Sequence, residues 1–214
     1  MIYFTSDLHL GHSNIISYER SDKFSSVEEH DSFVIDLLNK LSPTDTLYLL
    51  GDIGFGLNAE KLKGLKCHTI LIMGNHDKKS KTWYSNIFDE VYDHPVWLEK
   101  RILLSHEPQV VESDVLNLHG HLHGAYLDMD NYWNMNIHMC DYKLVSLKQV
   151  YSKISKIKVN KEKYKFMNEW WIEHQVCTIK GNNILTEDGH INIEKNKKRI
   201  QELEKKGLKD FETD

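Results

Sequence analysis

The chain of 214 residues is short of several things. Its three cysteines, Cys67, Cys140 and Cys177, are odd in number and share no CxxC spacing. That argues against a disulfide frame or a cysteine-based zinc knuckle, and suits reduced thiols in a cytosol. No apolar run approaches the ~18 residues that a membrane span needs. Met1-Ile2-Tyr3-Phe4 opens on strand-like residues with no basic n-region, so no signal peptide is expected and the expected location is cytoplasmic. Internal repeats and Gly/Ser linkers are also missing. Positive charge is scarce where a duplex-binding surface would need it. Residues 1–150 carry 13 Lys and Arg against 21 Asp and Glu, a net −8, whereas residues 151–214 carry 14 against 11, a net +3.

Hydrophobic residues, by contrast, make up 40% of the chain, which permits a sizeable core, and the 13 histidines are many for this length. Apolar runs at 1–6, 46–50, 69–72, 96–99, 101–105 and 115–118 read as strands, with another over Trp133–Met139. Residues 26–41 open with a capping-box pattern at Ser26 and Glu29 and continue with helical spacing. Shorter helices are expected at 58–64 and 146–154. The composition changes at about residue 156, which divides the chain into a domain over 1–155 and a basic extension over 156–214. The extension carries Trp170 and Trp171. Helices over 162–174 and 194–206 and a hairpin around Asp188-Gly189 are expected there.

The polar residues that could carry chemistry stand where these strands end. Asp7 and His9 follow the first; in an extended backbone they would share a face and could hold one cation. Asp52 follows Gly51 at the end of the second. Asn75, His76 and Asp77 follow Gly74, expected to be the site of a sharp backbone bend. His106 ends another strand. His121 and His123 form a glycine-flanked HxH pair, also sharing a face if extended. The roles of His12 and His119 stay open. Each cluster alone is also what an ordinary polar turn looks like. Together, Asp7, His9, Asp52, Asn75, His106, His121 and His123 offer mixed oxygen and nitrogen ligands suited to divalent Mn, Fe, Zn or Ni. Seven ligands suit two ions bridged by a carboxylate, brought together at one sheet edge. Lys78, Lys79 and Lys81 beside His76 are a solvated basic cluster or a phosphate contact.

This set, in this order, resembles the calcineurin-like metallophosphoesterase superfamily, whose motifs DxH, GD, GNH(D/E), a lone His and GHxH all occur. The opening Asp-Leu-His-Leu-Gly-His is similar to that of small bacterial and phage phosphoesterases. The resemblance covers residues 1 to about 155. It implies an α/β fold: a four-layer α/β/β/α sandwich of two mixed β-sheets, here with a small C-terminal extension. It implies two divalent cations, Mn first with Fe, Zn, Ni or Mg as alternatives. Asp7, His9, Asp52 and His123 would hold one; Asp52, Asn75, His106 and His121 the other, with Asp52 bridging. His76 would serve catalysis, oriented by Asp77. The implied activity is hydrolysis of a phosphate ester, with a phosphodiester favoured and a nucleotide or cyclic nucleotide within reach. Alternatives are a nuclease on single-stranded nucleic acid and a non-catalytic metal-binding scaffold. The expected partner is a phosphate-ester substrate, with no membrane, and the extension offers a surface for self-association.

Overall fold

The computed structural model describes residues 1–157 apart from 110, 126 and 128. In chain order they form β1 (Ile2–Thr5), α1 (Ser13–Ile15), which continues as a wider π turn over Ile16–Arg20, α2 (Val27–Leu38), β2 (Thr46–Leu49), a 3₁₀ turn over Asn58–Leu62 and β3 (His68–Ile72). Then come α3 (Lys81–Tyr84), β4 (Glu90–Tyr92), β5 (Val96–Glu99), β6 (Ile102–Leu104), β7 (Leu116–His119), β8 (Tyr132–Asn134), β9 (Val145–Ser146) and α4 (Leu147–Ile154). The expected elements at 162–174, 184–193 and 194–206 lie outside the described residues, as do Trp170 and Trp171.

Two mixed sheets result. One has the order β4-β3-β2-β1-β9, the other β5-β6-β7-β8. Within each, the central strands pair in parallel and one edge strand, β9 or β5, runs antiparallel. The two-residue alternation of the strands decides what packs where. On β2, Leu47 and Leu49 face α2 and meet Val34 and Leu38, while Tyr48 and the following Leu50 face the second sheet. On β6, Ile102 and Leu104 point to the same inter-sheet core as Phe4, Leu116 and Leu118, and Leu103 points away. The sheets therefore pack face to face. The outer face of the second is covered by an apolar cluster from the irregular segments on either side of β7, including Val111, Val115, Leu122 and Leu127. Leu47, Leu49, Leu104 and Leu118 are fully buried. Truncating any one to Ala would cost about 2–5 kcal/mol.

Several local readings need correction. The capping box of α2 is half formed: Ser26 Oγ accepts from Glu29 N, but Glu29 Oε2 accepts from the backbone and hydroxyl of Ser25 instead of Ser26. The strand expected over Trp133–Met139 stops at Asn134 and survives beyond it only as an isolated bridge from Asn136 to Ser6. Asn134 itself turns the chain, since its Oδ1 accepts from Asn136 N. The helical stretch at 13–20, the short α3 and strands β4 and β9 carry no strong periodicity because each is brief.

Candidate metal centre

Every candidate ligand follows the C-terminal end of a strand, but from two sheets and not from one sheet edge. Asp7 and His9 follow β1, Asp52 follows β2 and Asn75 follows β3, all in the first sheet; His106 follows β6, and His121 and His123 follow β7, in the second. Face-to-face packing brings these strand ends together. The local geometry also differs from the extended backbone expected. Asp7, His9, Asp52, His121 and His123 all sit at positive φ, between 50° and 67°. Such left-handed conformations cost roughly 1–3 kcal/mol each and persist only where surroundings over-determine them.

Those surroundings are visible. Asp7 N, His9 N and Leu10 N donate to the carbonyls of Gly51, Asp52 and Ile53 at 2.9–3.0 Å, so the first two ligand loops are zipped together. Behind them lies Arg20, wholly buried. Its guanidinium donates to the carbonyl oxygens of Asp7 (2.6 Å) and Leu8 (3.0 Å) and to His30 Nε2 (2.6 Å). A guanidinium has no acceptor, so His30 Nε2 must accept and its Nδ1–H donates to Asp31 Oδ1 at 3.0 Å. Asp31 Oδ2 then accepts from Gly11 N (2.9 Å) and from Lys61 (2.7 Å). This chain of contacts grips the loop at residues 7, 8 and 11. Glu19, on the π turn, lies 2.6 Å from His123 Nδ1 and orients that ring. Burial lowers the pKa of His123, but the bond to Glu19 and the charges of Glu19, Asp7 and Asp52 raise it overall. Nothing in the sequence pattern marks Arg20, Glu19, His30 or Asp31.

Two motif glycines have a steric reason. Gly74 opens the expected turn, its carbonyl accepting from Asp77 N at 3.1 Å, but it is not at positive φ. A Cβ on it would lie 2.3 Å from Asp52 Oδ1, and one on Gly120 would lie 2.3 Å from Asp7 Oδ2. Any side chain at either position would collide with a carboxylate of the site.

The site divides into two halves that share Asp52. One ligand atom each from Asp7, His9, Asp52 and His123 lies within 4.8 Å of the others, so this group of Asp and His residues could bind a metal ion. His9 Nδ1, His9 Nε2 and Asp52 Oδ2 are buried and have no hydrogen-bond partner. Desolvation, with the charges of His123 and Arg20 adding to it, pushes the His9 pKa down to about 2, so the neutral ring offers one nitrogen lone pair.

In the second half, His106 Nε2 lies 2.8 Å from Asn75 Oδ1, 3.3 Å from His121 Nδ1 and 3.4 Å from Asp52 Oδ1, and His121 Nδ1 is 3.1 Å from Asn75 Oδ1. His106 Nδ1 faces the carbonyl of Leu50 at 2.8 Å and must donate to it. In a neutral ring Nε2 is then an acceptor facing the Asn75 oxygen, so two acceptors meet where a cation or an added proton would bridge them. Donor atoms bound to one ion at ~2.1 Å stand about 3–4 Å apart, so these spacings fit a coordination shell. Burial pushes the Asp52 carboxyl up to about 7, His106 opposing and Asp7 reinforcing the shift. Burial would lower the His106 pKa, but Asp52 and Asp7 outweigh it and raise it overall.

His76 stands apart from both halves. Its backbone N–H donates to Asp52 Oδ1 at 2.8 Å, while its ring is exposed and lies 5.9 Å from the His9 ring. Asp77 does not touch that ring. Its oxygens accept from the backbone of Asp52, Ile53 and Gly74 at 2.8–3.0 Å, and Tyr84 Oη reaches Oδ1 at 3.4 Å. Asp77 therefore ties the Asp52 loop to the Asn75 loop. The expected orienting contact with His76 is replaced by this one, because three N–H groups nearer to the carboxylate saturate it. His119 is buried and donates to the carbonyl of Gly120 at 2.9 Å, and burial lowers its pKa to about 4, so it is a structural residue of the ligand loop.

No family model matches this sequence. The crystal structure of the Pseudomonas putida nuclease MPE superimposes with a TM-score of 0.41 at 23% identity, over 59% of this chain and 64% of that one. The crystal structure of AQ665 from Aquifex aeolicus, titled a protein of unknown function, superimposes with a TM-score of 0.57 at 30% identity, over 71% of this chain and 98% of that one. The uncharacterized protein MJ1445 of Methanocaldococcus jannaschii is 31% identical over 174 residues, covering 74% of this chain and 93% of its own length. The chain belongs to the family of MJ1445.

Proposed function

We propose that this chain is a metal-dependent phosphoesterase that holds two divalent cations across the shared Asp52. The observation that carries this reading is the convergence of lone pairs without donors. In one half these are the bare nitrogen of His9 and Asp52 Oδ2; in the other, Asn75 Oδ1 and His106 Nε2 meet at 2.8 Å beside Asp52 Oδ1, which already accepts from His76 N. A buried polar centre of this kind is costly unless a cation fills it. Asp7, His9 and His123 would complete one ion's ligands, and Asn75, His106 and His121 the other's. Two divalent ions, when bound, supply a water of near-neutral pKa and neutralise charge on phosphoryl oxygens.

The chain's own residues then divide the remaining work. His76, exposed beside the centre, is free to meet the substrate and to stabilise or protonate the departing oxygen. Asp77 and Arg20 keep the ligand loops in place. The favoured substrate is a phosphodiester, and Mn²⁺ the favoured metal. The test is hydrolysis of bis-p-nitrophenyl phosphate, p-nitrophenyl phosphate, cyclic nucleotides and single-stranded oligonucleotides with and without Mn²⁺, alongside metal analysis. Turnover that chelation abolishes and Mn²⁺ restores, at about two ions per chain, is the expected result. Undiminished turnover with less than about one ion per chain would sink the two-metal reading.

A further inference from the structure

The two zipped ligand loops run outward past the metal centre and end on aromatic rings. Phe55 N donates to the Leu10 carbonyl at 2.9 Å, which places Phe55 beside His12. The His12 and Phe55 rings stack with centroids 4.3 Å apart and planes within 9°. Yet Phe55 is 43% exposed, and Leu57, two residues on, is 57% exposed. Gly56 between them has nothing within 4 Å of where a Cβ would stand, so the space around this tip is open. The Phe55 centroid lies 6.0 Å from that of His76, and His12 lies 5.8 Å from His9. Among the described residues, this exposed phenyl ring stacks on an imidazole and stands one ring's reach from the candidate centre, with no core packing to account for its exposure.

We propose that the His12–Phe55 stack is a platform for a planar aromatic group of the substrate, so that the phosphoester carries a nucleobase. The inference rests on the phosphoesterase reading of the adjoining centre. Its apolar surface is ring-sized and bordered by the imidazoles of His12 and His76, which suits a flat heteroaromatic base with polar edges. An acyl chain would need a long apolar groove, and a simple sugar phosphate would gain nothing from a ring face. Base–aromatic stacking is tolerant of sequence, so the platform selects a base without choosing which one.

The test is calorimetric binding to the full-length Mn²⁺-loaded chain. Wild type should bind adenosine 5′-monophosphate at least ~10-fold more tightly than ribose 5-phosphate. Phe55→Ala should remove most of that preference, weakening ribose 5-phosphate by less than ~3-fold, and Phe55→Trp should retain it. Thermal unfolding of each variant checks that the exposed position leaves the fold intact. A thymidine oligonucleotide compared with thymidine monophosphate separates the two sources of a base; a gain per added base that Phe55→Ala erases points to single strands. Equal binding of the two monophosphates by wild type, or a preference that survives in Phe55→Ala, overturns the platform and leaves the phosphoesterase reading standing. If neither ligand binds and no phosphoester is hydrolysed, the phosphoesterase reading fails and the platform with it.

Discussion

The two halves of the centre share a carboxylate and are prepared in different ways. The half built from Asp7, His9 and His123 is held from outside: Arg20 on two loop carbonyls, Ser6 Oγ on Asp7 Oδ2 at 2.5 Å, and Glu19 on His123. Its inward atoms on His9 and Asp52 stay unpartnered. The half built from Asn75, His106 and His121 is closed on itself, with ligand atoms 2.8–3.3 Å apart. From outside it, the Leu50 carbonyl accepts from His106 at 2.8 Å and Asp7 Oδ1 accepts from His121 N at 3.1 Å. The first half brings two carboxylates, Asp7 and Asp52; the second has Asp52 and a neutral amide. Affinity for a hard divalent cation rises with ligand charge. The first half should therefore fill first, and outer-partner mutations should act on it selectively.

The largest effect should come from the residue both halves share. Asp52→Asn should weaken both ions together and reduce turnover to the limit of detection. Retention of two tightly bound ions in that variant would show that the bridge is misassigned. The same change carries a stability signature. The Asp52 pKa is raised to about 7 by burial, so the ion-free fold favours its protonated form. That contribution is present at low pH and is lost as pH rises from about 4 to about 7. Chelated wild type should therefore lose stability over this window relative to chelated Asp52→Asn. Mn²⁺ should stabilise wild type, by about 2.7 kcal/mol at a hundredfold excess over Kd, and much less the variant. Denaturant unfolding across pH, with chelator or Mn²⁺, reads both.

Next in size is His76, which belongs to neither half. His76→Gln should lower turnover by ~10²–10⁴-fold at nearly unchanged metal content, most for substrates with poor leaving groups. Loss of an ion instead would make His76 a ligand and redraw the second half.

Smaller effects should separate the halves. Glu19→Gln and Arg20→Lys should weaken the ion held by Asp7, His9 and His123 by ~10–100-fold, leaving the other ion within a few-fold. Stepwise Mn²⁺ binding distinguishes the two, and equal weakening of both ions would mean that these residues act on the fold as a whole. The smallest effect should be that of removing residues 158–214. A folded truncation should retain both ions, and loss of either would place a ligand in the extension.

Much of this centre was legible in one dimension, for a physical reason. The periodicity of apolar residues records which strand faces are buried, and a polar residue placed just after such a run ends up where strand termini converge. The candidate residues from Asp7 to His123 could therefore be placed at strand ends, in order. The loops were not legible. Asp7 and His9, and again His121 and His123, converge through left-handed backbone and not through extended geometry. At Asp7 and His9 that conformation is held by hydrogen bonds to the carbonyls of Gly51 and Asp52 and from Arg20. Asp77 was misread for the same reason. Two of its three backbone donors, Asp52 N and Ile53 N, are 25 and 24 residues away in sequence.

By itself the sequence determined which polar residues are candidates, their order and the strands that deliver them, because side-chain chemistry and two-residue periodicity are local properties. Only the tertiary structure decided that two sheets supply the centre, that Arg20 and Glu19 hold one half and not the other, and that Gly74 and Gly120 are needed for room. Those are properties of close approach between distant segments, where a backbone's path is set by whatever it packs against.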